Sequence, residues 1–271
     1  MSFTACTFTY NGISSEEFGL TLCEIGNEKM SGGVINSGFS VVSEHISRRA
    51  EPIHYGVKKG DHKEFDLVFG SDRYLSRVEV AEIAGWLLGR NQFAPLVIEQ
   101  EDLVGLQYKA IFTEMKMVPV GGKTIGFSAH VVCNSPYAYT ESVTDVHECS
   151  GTLDTAFTNM SNIPELYAPD VRIEVAANSD VKVLNKTTGE TFSLEFGGKN
   201  TSKMTVHISG LTKVMTLESD QNLTLNLYDC MKLNGAAHFV FPRFAPGVNA
   251  LTLTGNFKLF IDSEFPMAIG Y

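Results

Sequence analysis

Most of the chain alternates apolar and polar residues with a period of two. In FGLTL, Phe18, Leu20 and Leu22 alternate with small or polar neighbours. EFDLVFG sets Phe65, Leu67 and Phe69 on one face and Glu64, Asp66 and Val68 on the other. IGFSAHVVC repeats the pattern with Ile125, Phe127, Ala129, Val131 and Cys133. Such alternation predicts half-buried strands of antiparallel sheets. Glycine-rich breaks, SGG at 31–33 and VGGK at 120–123, predict the turns between them. The opening run FTYNGISSEEFGL reads as a first strand pair. Asn11-Gly12 makes its turn, where positive φ costs little. Gly19, after Phe18, predicts a bulge or a close backbone approach.

One segment breaks the period. SRVEVAEIAGWLLGR, 76–90, places Val80, Ile83, Ala84 and Leu87 at helical spacing, with Glu79 and Glu82 between them. Ser76 followed by Glu79 is a capping-box pattern, and Gly89 can end the helix. Trp86, the only tryptophan, is expected to pack this helix onto the sheet rather than to stack on a ligand.

After NSPYAYT at 134–140 the texture changes. Residues 141–165 are polar and rich in Ser, Thr and Asn, which predicts a linker or an irregular entry to a second domain. From 171 a new strand series begins with VRIEV, VKVLN, the turn signal KTTGE, and TFSLEF. MTVHI, LTLNL, HFVF, ALTL and FKLFI continue it. Short strands with no helical pattern between them predict a β-sandwich. The expected fold is therefore mainly β: an α+β N-terminal domain, 1–140, with one helix, and an all-β C-terminal domain, 141–271.

The 271 residues are 44% hydrophobic and 19% charged, an ordinary globular composition. The formal net charge of -10 works against tight nonspecific nucleic-acid binding. Residues 1–20 hold no basic segment followed by an apolar run, so no secretory leader is expected. No stretch approaches a membrane span, so no membrane insertion is expected. Cys6, Cys23, Cys133, Cys149 and Cys230 are scattered, which predicts reduced, partly buried thiols rather than a disulfide framework or zinc site. Sequons at Asn159, Asn185, Asn200 and Asn222 read as chance occurrences.

Catalytic signatures are weak. Gly122-Lys123-Thr124 ends like a phosphate-binding loop, but Met117 stands where the first glycine is needed, so a hairpin turn is expected. None of the seven histidines lies in H-x-x-x-H or H-E-x-x-H, and no G-x-S-x-G occurs. No catalytic, metal or cofactor-binding residue is assigned. A glycan-binding module is the alternative reading, with Tyr167, Tyr228 and His207 as candidate contacts.

FTYNGISSEEFGL resembles the N-terminus of the distal tail protein family of siphophages. Three further blocks follow in order: RRAEPIHYGVKKGDHKEFDLVF, EIAGWLLGRNQFAPLVI and IGFSAHVVCNSPYAY, the last with a Ser-Pro-Tyr exit at Pro136 and Tyr137. FVFPRFAPGVNALTLTGN resembles a segment before the last strands of that family's galectin-like sandwich. The resemblance implies a ring-forming N-terminal domain and a galectin-like C-terminal domain. It implies a structural hub, not an enzyme, in the virion at the distal end of the tail, made in the bacterial host cytoplasm. Six copies would form a ring around a channel for DNA, without binding DNA specifically. The implied partners are the tail tube protein, the tail-associated hub or lysin protein and, further out, a receptor-binding protein. No cofactor is implied. Asn11, Gly12, Phe18, Gly19, Trp86, Pro136 and Tyr137 would be structural residues of the motif. A tail-tube protein and an uncharacterised hydrolase are the remaining alternatives.

Overall fold

A computed structural model describes residues 6–23, 39–44, 51, 53–219, 225–232 and 239–269. The chain is mainly β and divides into two compact units, Met1–Thr140 with Met267–Tyr271, and Glu141–Pro266. The last residues, expected with the second domain, group with the first unit.

The first unit contains β1 (Phe8–Tyr10), β2 (Ile13–Ser14), β3 (Thr21–Leu22), β4 (Phe39–Glu44), β5 (Ile53–Lys59) and β6 (Glu64–Gly70). The helix α1 (Arg77–Leu88) follows, then β7 (Ala94–Ile98), β8 (Leu106–Val120), β9 (Lys123–Cys133) and β10 (Ala138–Thr140). The main sheet runs β2-β1-β7-β8-β9-β6-β3, and among the described residues β4 pairs with β5 alone. The expected capping box forms: Ser76 Oγ accepts from Glu79 N at 3.3 Å, and Ser76 N donates to Glu79 Oε2 at 2.7 Å. Ile83 and Leu87 are fully buried, with Val80 packed beside them. Gly89 caps the helix at φ −73, so it ends without a left-handed residue.

Two readings of this unit are corrected. FGLTL is not one strand, because Phe18 closes a 3-10 turn, Ser15–Phe18, and only Thr21–Leu22 pairs. Local side-chain bonds outcompete the ladder there. Ser14 Oγ accepts from Glu16 N at 3.2 Å, while buried Ser15 Oγ accepts from Phe8 N at 3.1 Å and donates to Leu20 O at 2.9 Å. Gly19 is accordingly the left-handed cap of that turn, φ 64, rather than a bulge. Val68, expected opposite Leu67 and Phe69, is buried with them, so this end of β6 is covered on both faces.

The second unit contains β11 (Val143–Asn159), β12 (Asp170–Val175), β13 (Val181–Asn185), β14 (Glu190–Leu194), β15 (Met204–Ile208) and β16 (Met215–Ser219). A one-turn helix α2 (Leu227–Cys230), β17 (Gly247–Ser263) and the short β18 (Pro266–Met267) complete the chain. The sheet order is β14-β13-β17-β12-β15-β16, and β11 pairs with β17 along its whole length.

Here the polar stretch 141–165 is the largest correction, since 143–159 is a strand of 17 residues. Its buried positions include His147 and Asn159 beside Cys149 and Phe157, so polar inward residues hide the alternation. ALTL and FKLFI are parts of one strand, bent where Gly151 (φ 88) pairs with Gly255 (φ 133). The bend brings Thr155 Oγ1 within 3.2 Å of His147 Nδ1, although eight residues of straight strand would span about 26 Å. The described residues of LTLNL and HFVF do not form strands. Leu225 and Asn226 lie outside any strand and Leu227 opens α2, capped by Asn226 Oδ1 accepting from Tyr228 N. Phe239–Phe241 run irregularly into Pro242, which has no N–H to give a ladder. Residues 223–224 and His238 fall outside the described residues. The all-β expectation thus missed α2.

Candidate functional site

The motif residues of the first unit hold one aromatic cluster. The Phe8 and Phe18 rings stack on Trp86 with centroids 5.6 and 4.9 Å away. Trp86 Nε1 donates to Tyr10 O at 3.2 Å, so the indole also ties α1 to β1. Phe8 and Tyr10 are fully buried, whereas Phe18 and Trp86 are half-buried. Asn11 (φ 53) and Gly12 (φ 79) form the β1–β2 turn with both central residues left-handed. Pro136 and Tyr137 lie in a knot: Ser135 Oγ accepts from Tyr137 N at 3.2 Å and from Tyr139 Oη at 2.9 Å.

The chemistry-bearing residues are dispersed. No group of three or more His, Cys, Asp or Glu among the described residues could hold a metal ion. All five cysteines are free, and burial pushes each thiol up, Cys133 to about 12. A thiol held protonated in this way is a poor nucleophile. Gly121 (φ 59) and Gly122 (φ 76) make the β8–β9 turn, and Lys123 Nζ lies 4.8 Å from the Tyr74 ring centre. Three sequon asparagines are buried and structural. Asn159 Nδ2 donates to Phe244 O, Asn185 Oδ1 accepts from Thr187 N, and Asn200 Nδ2 donates to Ser179 O. Asn222 lies outside the described residues. Of the candidate sugar contacts, Tyr167 packs on Phe265 and accepts from Glu264 N, and Tyr228 accepts from Met215 N. His207 stands on the outer face of the second unit's sheet, 3.4 Å from Glu218.

The surface that sequence patterns do not locate is a particular sheet edge. β7 pairs with β8 only at Tyr108–Ala110, and β10 only at Leu106 and Gln107. Among the described residues, Ile111–Val120 therefore has a strand on one side only, β9. Across β9, β3 pairs with β6 at Phe69 and Gly70 among the described residues. An unpaired row of N–H and C=O groups is a template for another chain. Met117 (59% exposed) and Val120 (46%) stand on this outer strand. One face of the β6–β9–β8 ribbon is polar, with Asp66, Glu114, Lys116, Ser128 and His130 around a shallow cavity. His130 Nδ1 lies 2.7 Å from Asp66 and its Nε2 3.6 Å from Glu64.

Residues 3–135 match the family described as phage tail protein N-terminal domain. No curated protein matches the chain. Among solved structures, the chain is similar to the SPP1 Dit protein, described as a paradigm of the hub adsorption apparatus in phages infecting Gram-positive hosts. That similarity has a TM-score of 0.63 at 12% identity and covers 96% of this chain and 99% of that one. A chain of the activated phage P2 baseplate with calcium scores 0.46 at 9% identity, over 96% and 99% of the two chains. Residues 3–135 thus match a phage tail family model, and the whole chain shares its fold with the SPP1 Dit protein.

Proposed function

We propose that six copies of the chain form a ring at the distal end of a phage tail. The ring joins the tail tube to the hub or lysin protein and the host-recognition apparatus, receptor-binding protein included. On this reading the first unit builds the ring, residues 141–266 project from it, and the seven motif residues are structural. The chain is not an enzyme. It is made in the host cytoplasm and carried in the virion.

The observation that carries the reading is the edge of β8 at Ile111–Val120, which among the described residues has a strand on one side only. A ring of identical copies needs two different patches that fit one another, with a rotation that closes. Ile111–Val120 of one copy is one such patch, and the second lies elsewhere on the first unit of the next copy. The polar ribbon face, with Glu64, Asp66 and Glu114 against Lys116, would line the channel. Its excess of acids would repel DNA phosphates and let DNA pass.

The test is light scattering on the chain and on a Met117→Asp/Val120→Asp double variant, each with and without the co-expressed tail tube protein. Both side chains are exposed, so the variant is expected to stay folded and to lose the hexamer. A hexamer unaffected by both carboxylates would exclude this edge. A wild type that stays monomeric even with the tube protein would exclude the ring.

A further inference from the structure

We propose that the outer face of the second unit's sheet binds an uncharged saccharide, in the groove bounded by Asp170, Arg172, His207, Thr212, Thr216 and Asp262. The inference goes beyond the ring reading and does not depend on it.

The groove has a volume of about 550 Å³ and crosses β17, β12, β15 and β16 where the β15–β16 connection curls over the strand ends. Its charged side chains each make one internal hydrogen bond and keep hydrogen-bonding capacity in reserve. Asp170 Oδ1 accepts from Gly210 N at 2.7 Å, and Asp262 Oδ1 accepts from Thr144 Oγ1 at 2.5 Å. Arg172 Nη1 donates to Glu174 Oε1 at 2.7 Å, while its guanidinium lies 3.5 Å from the centre of the Phe260 ring. His207 meets Glu218 through Nε2 alone. The other carboxylate oxygens, the remaining guanidinium N–H groups and His207 Nδ1 make no further hydrogen bond among the described residues.

The rim is rigid. Ser209 N donates to Val214 O and Lys213 N to Ser209 O, both at 2.9 Å, and Tyr228 Oη donates to Lys213 O at 3.3 Å. Lys213 is held at φ 59, and Gly210 sits where an added Cβ would be 2.1 Å from Ala168 O. A site already fixed in shape loses little entropy when a ligand arrives.

The chemistry selects the ligand class. Two carboxylates against one guanidinium disfavour phosphate or another anion. The Phe260 ring is covered by Arg172, so no aromatic floor is left for an apolar guest. Mixed donors and acceptors beside two threonine hydroxyls, with half-exposed Val214 as a small apolar wall, suit the hydroxyls and C–H face of a sugar. A second groove, of about 450 Å³ and lined by Lys182, Thr191 and Ser193, has no such guanidinium and serves as control.

The test is saturation-transfer NMR titration of the full chain with glucose, galactose, N-acetylglucosamine and rhamnose, and with glycerol 3-phosphate as an anion. At least one neutral sugar should bind with a millimolar Kd. Arg172→Ala and Asp262→Asn should each weaken it about tenfold or more, Thr216→Trp should abolish it by filling the groove, and Lys182→Ala should leave it unchanged. Thr216 is exposed, so its variant tests the site even if Arg172→Ala unfolds. No transfer from any of the four sugars at about 50 mM, a preference for glycerol 3-phosphate, or unchanged binding by Thr216→Trp would each overturn the proposal.

Discussion

In the first unit the strands are held to their helix by rings; in the second, strands and loops are tied by amides. Phe8, Tyr10, Phe18, Phe69, Trp86 and Phe112 form one connected aromatic cluster. Its polar groups are few and lie at its edges. The second unit buries Asn159, Asn185, Asn200 and Asn249. Asn249 accepts from Ala245 N at 2.9 Å and from Asn185 Nδ2 at 3.1 Å, and donates to Ala245 O and Gly247 O. Asn185 also donates to Arg243 O, and Asn159 to Phe244 O, so these amides pin the irregular segment 242–246 to the sheet. An aromatic core tolerates small changes at its rim. A buried amide that loses one partner leaves a donor or acceptor unpaired, which is where the two units should differ most under mutation.

Phe8→Ala should cost about 3–5 kcal/mol and act on the first unit alone, because a fully buried ring leaves a cavity. Trp86 is the only tryptophan, so its fluorescence reports that unit during urea unfolding. Equal shifts in the fluorescence and circular-dichroism transitions of every variant would show that the units do not unfold separately. Gly255→Ala should cost roughly 3 kcal/mol in the second unit, since the new Cβ would lie 2.1 Å from Asp180 O at φ 133. A cost near zero would mean that the bend at Gly151 and Gly255 is not fixed. Asn249→Ala should cost about 2–3 kcal/mol, visible by circular dichroism with the tryptophan transition unmoved. A loss as small as an ordinary surface change, below about 0.5 kcal/mol, would remove amides from the comparison.

The smallest effect is on acid stability. The Arg73 guanidinium, then the Ser76 backbone N–H, hold the Glu79 carboxyl at about 2, below its ordinary 4.5. The folded state therefore favours the charged form. The stabilisation is complete above pH 4.5 and is lost as pH falls towards 2. Glu79→Gln should flatten the fluorescence-detected stability curve in that window and leave the circular-dichroism signal of the second unit alone. An unchanged acid limb would rule out the cap as its source.

Residues whose jobs are local were legible in the sequence. The Ser76–Glu79 box, the Asn11-Gly12 turn and the glycine turn after Val120 each need only neighbours in the chain. The 143–159 strand was hidden because its inward positions hold a histidine met by Thr155 across the bend of the same strand and an asparagine bonded to the distant Phe244 O. LTLNL and HFVF alternate well, yet Asn226 caps a helix and Pro242 halts a ladder, so a local signal of another kind prevailed. The buried asparagines resembled sequons because the three-residue pattern is blind to burial. Neither the open edge of β8 nor the groove could be read, since both depend on which strands meet, and pairing between distant segments leaves no local pattern.

The most direct measurement is negative-stain electron microscopy of the purified chain, alone and with the tail tube protein, classified without imposed symmetry. Six-fold rings with a central hole and lobes at the periphery are expected, with the first unit around the hole. Monomers under both conditions, or rings of the same size from the Met117→Asp/Val120→Asp variant, would contradict a ring closed through the open edge of β8.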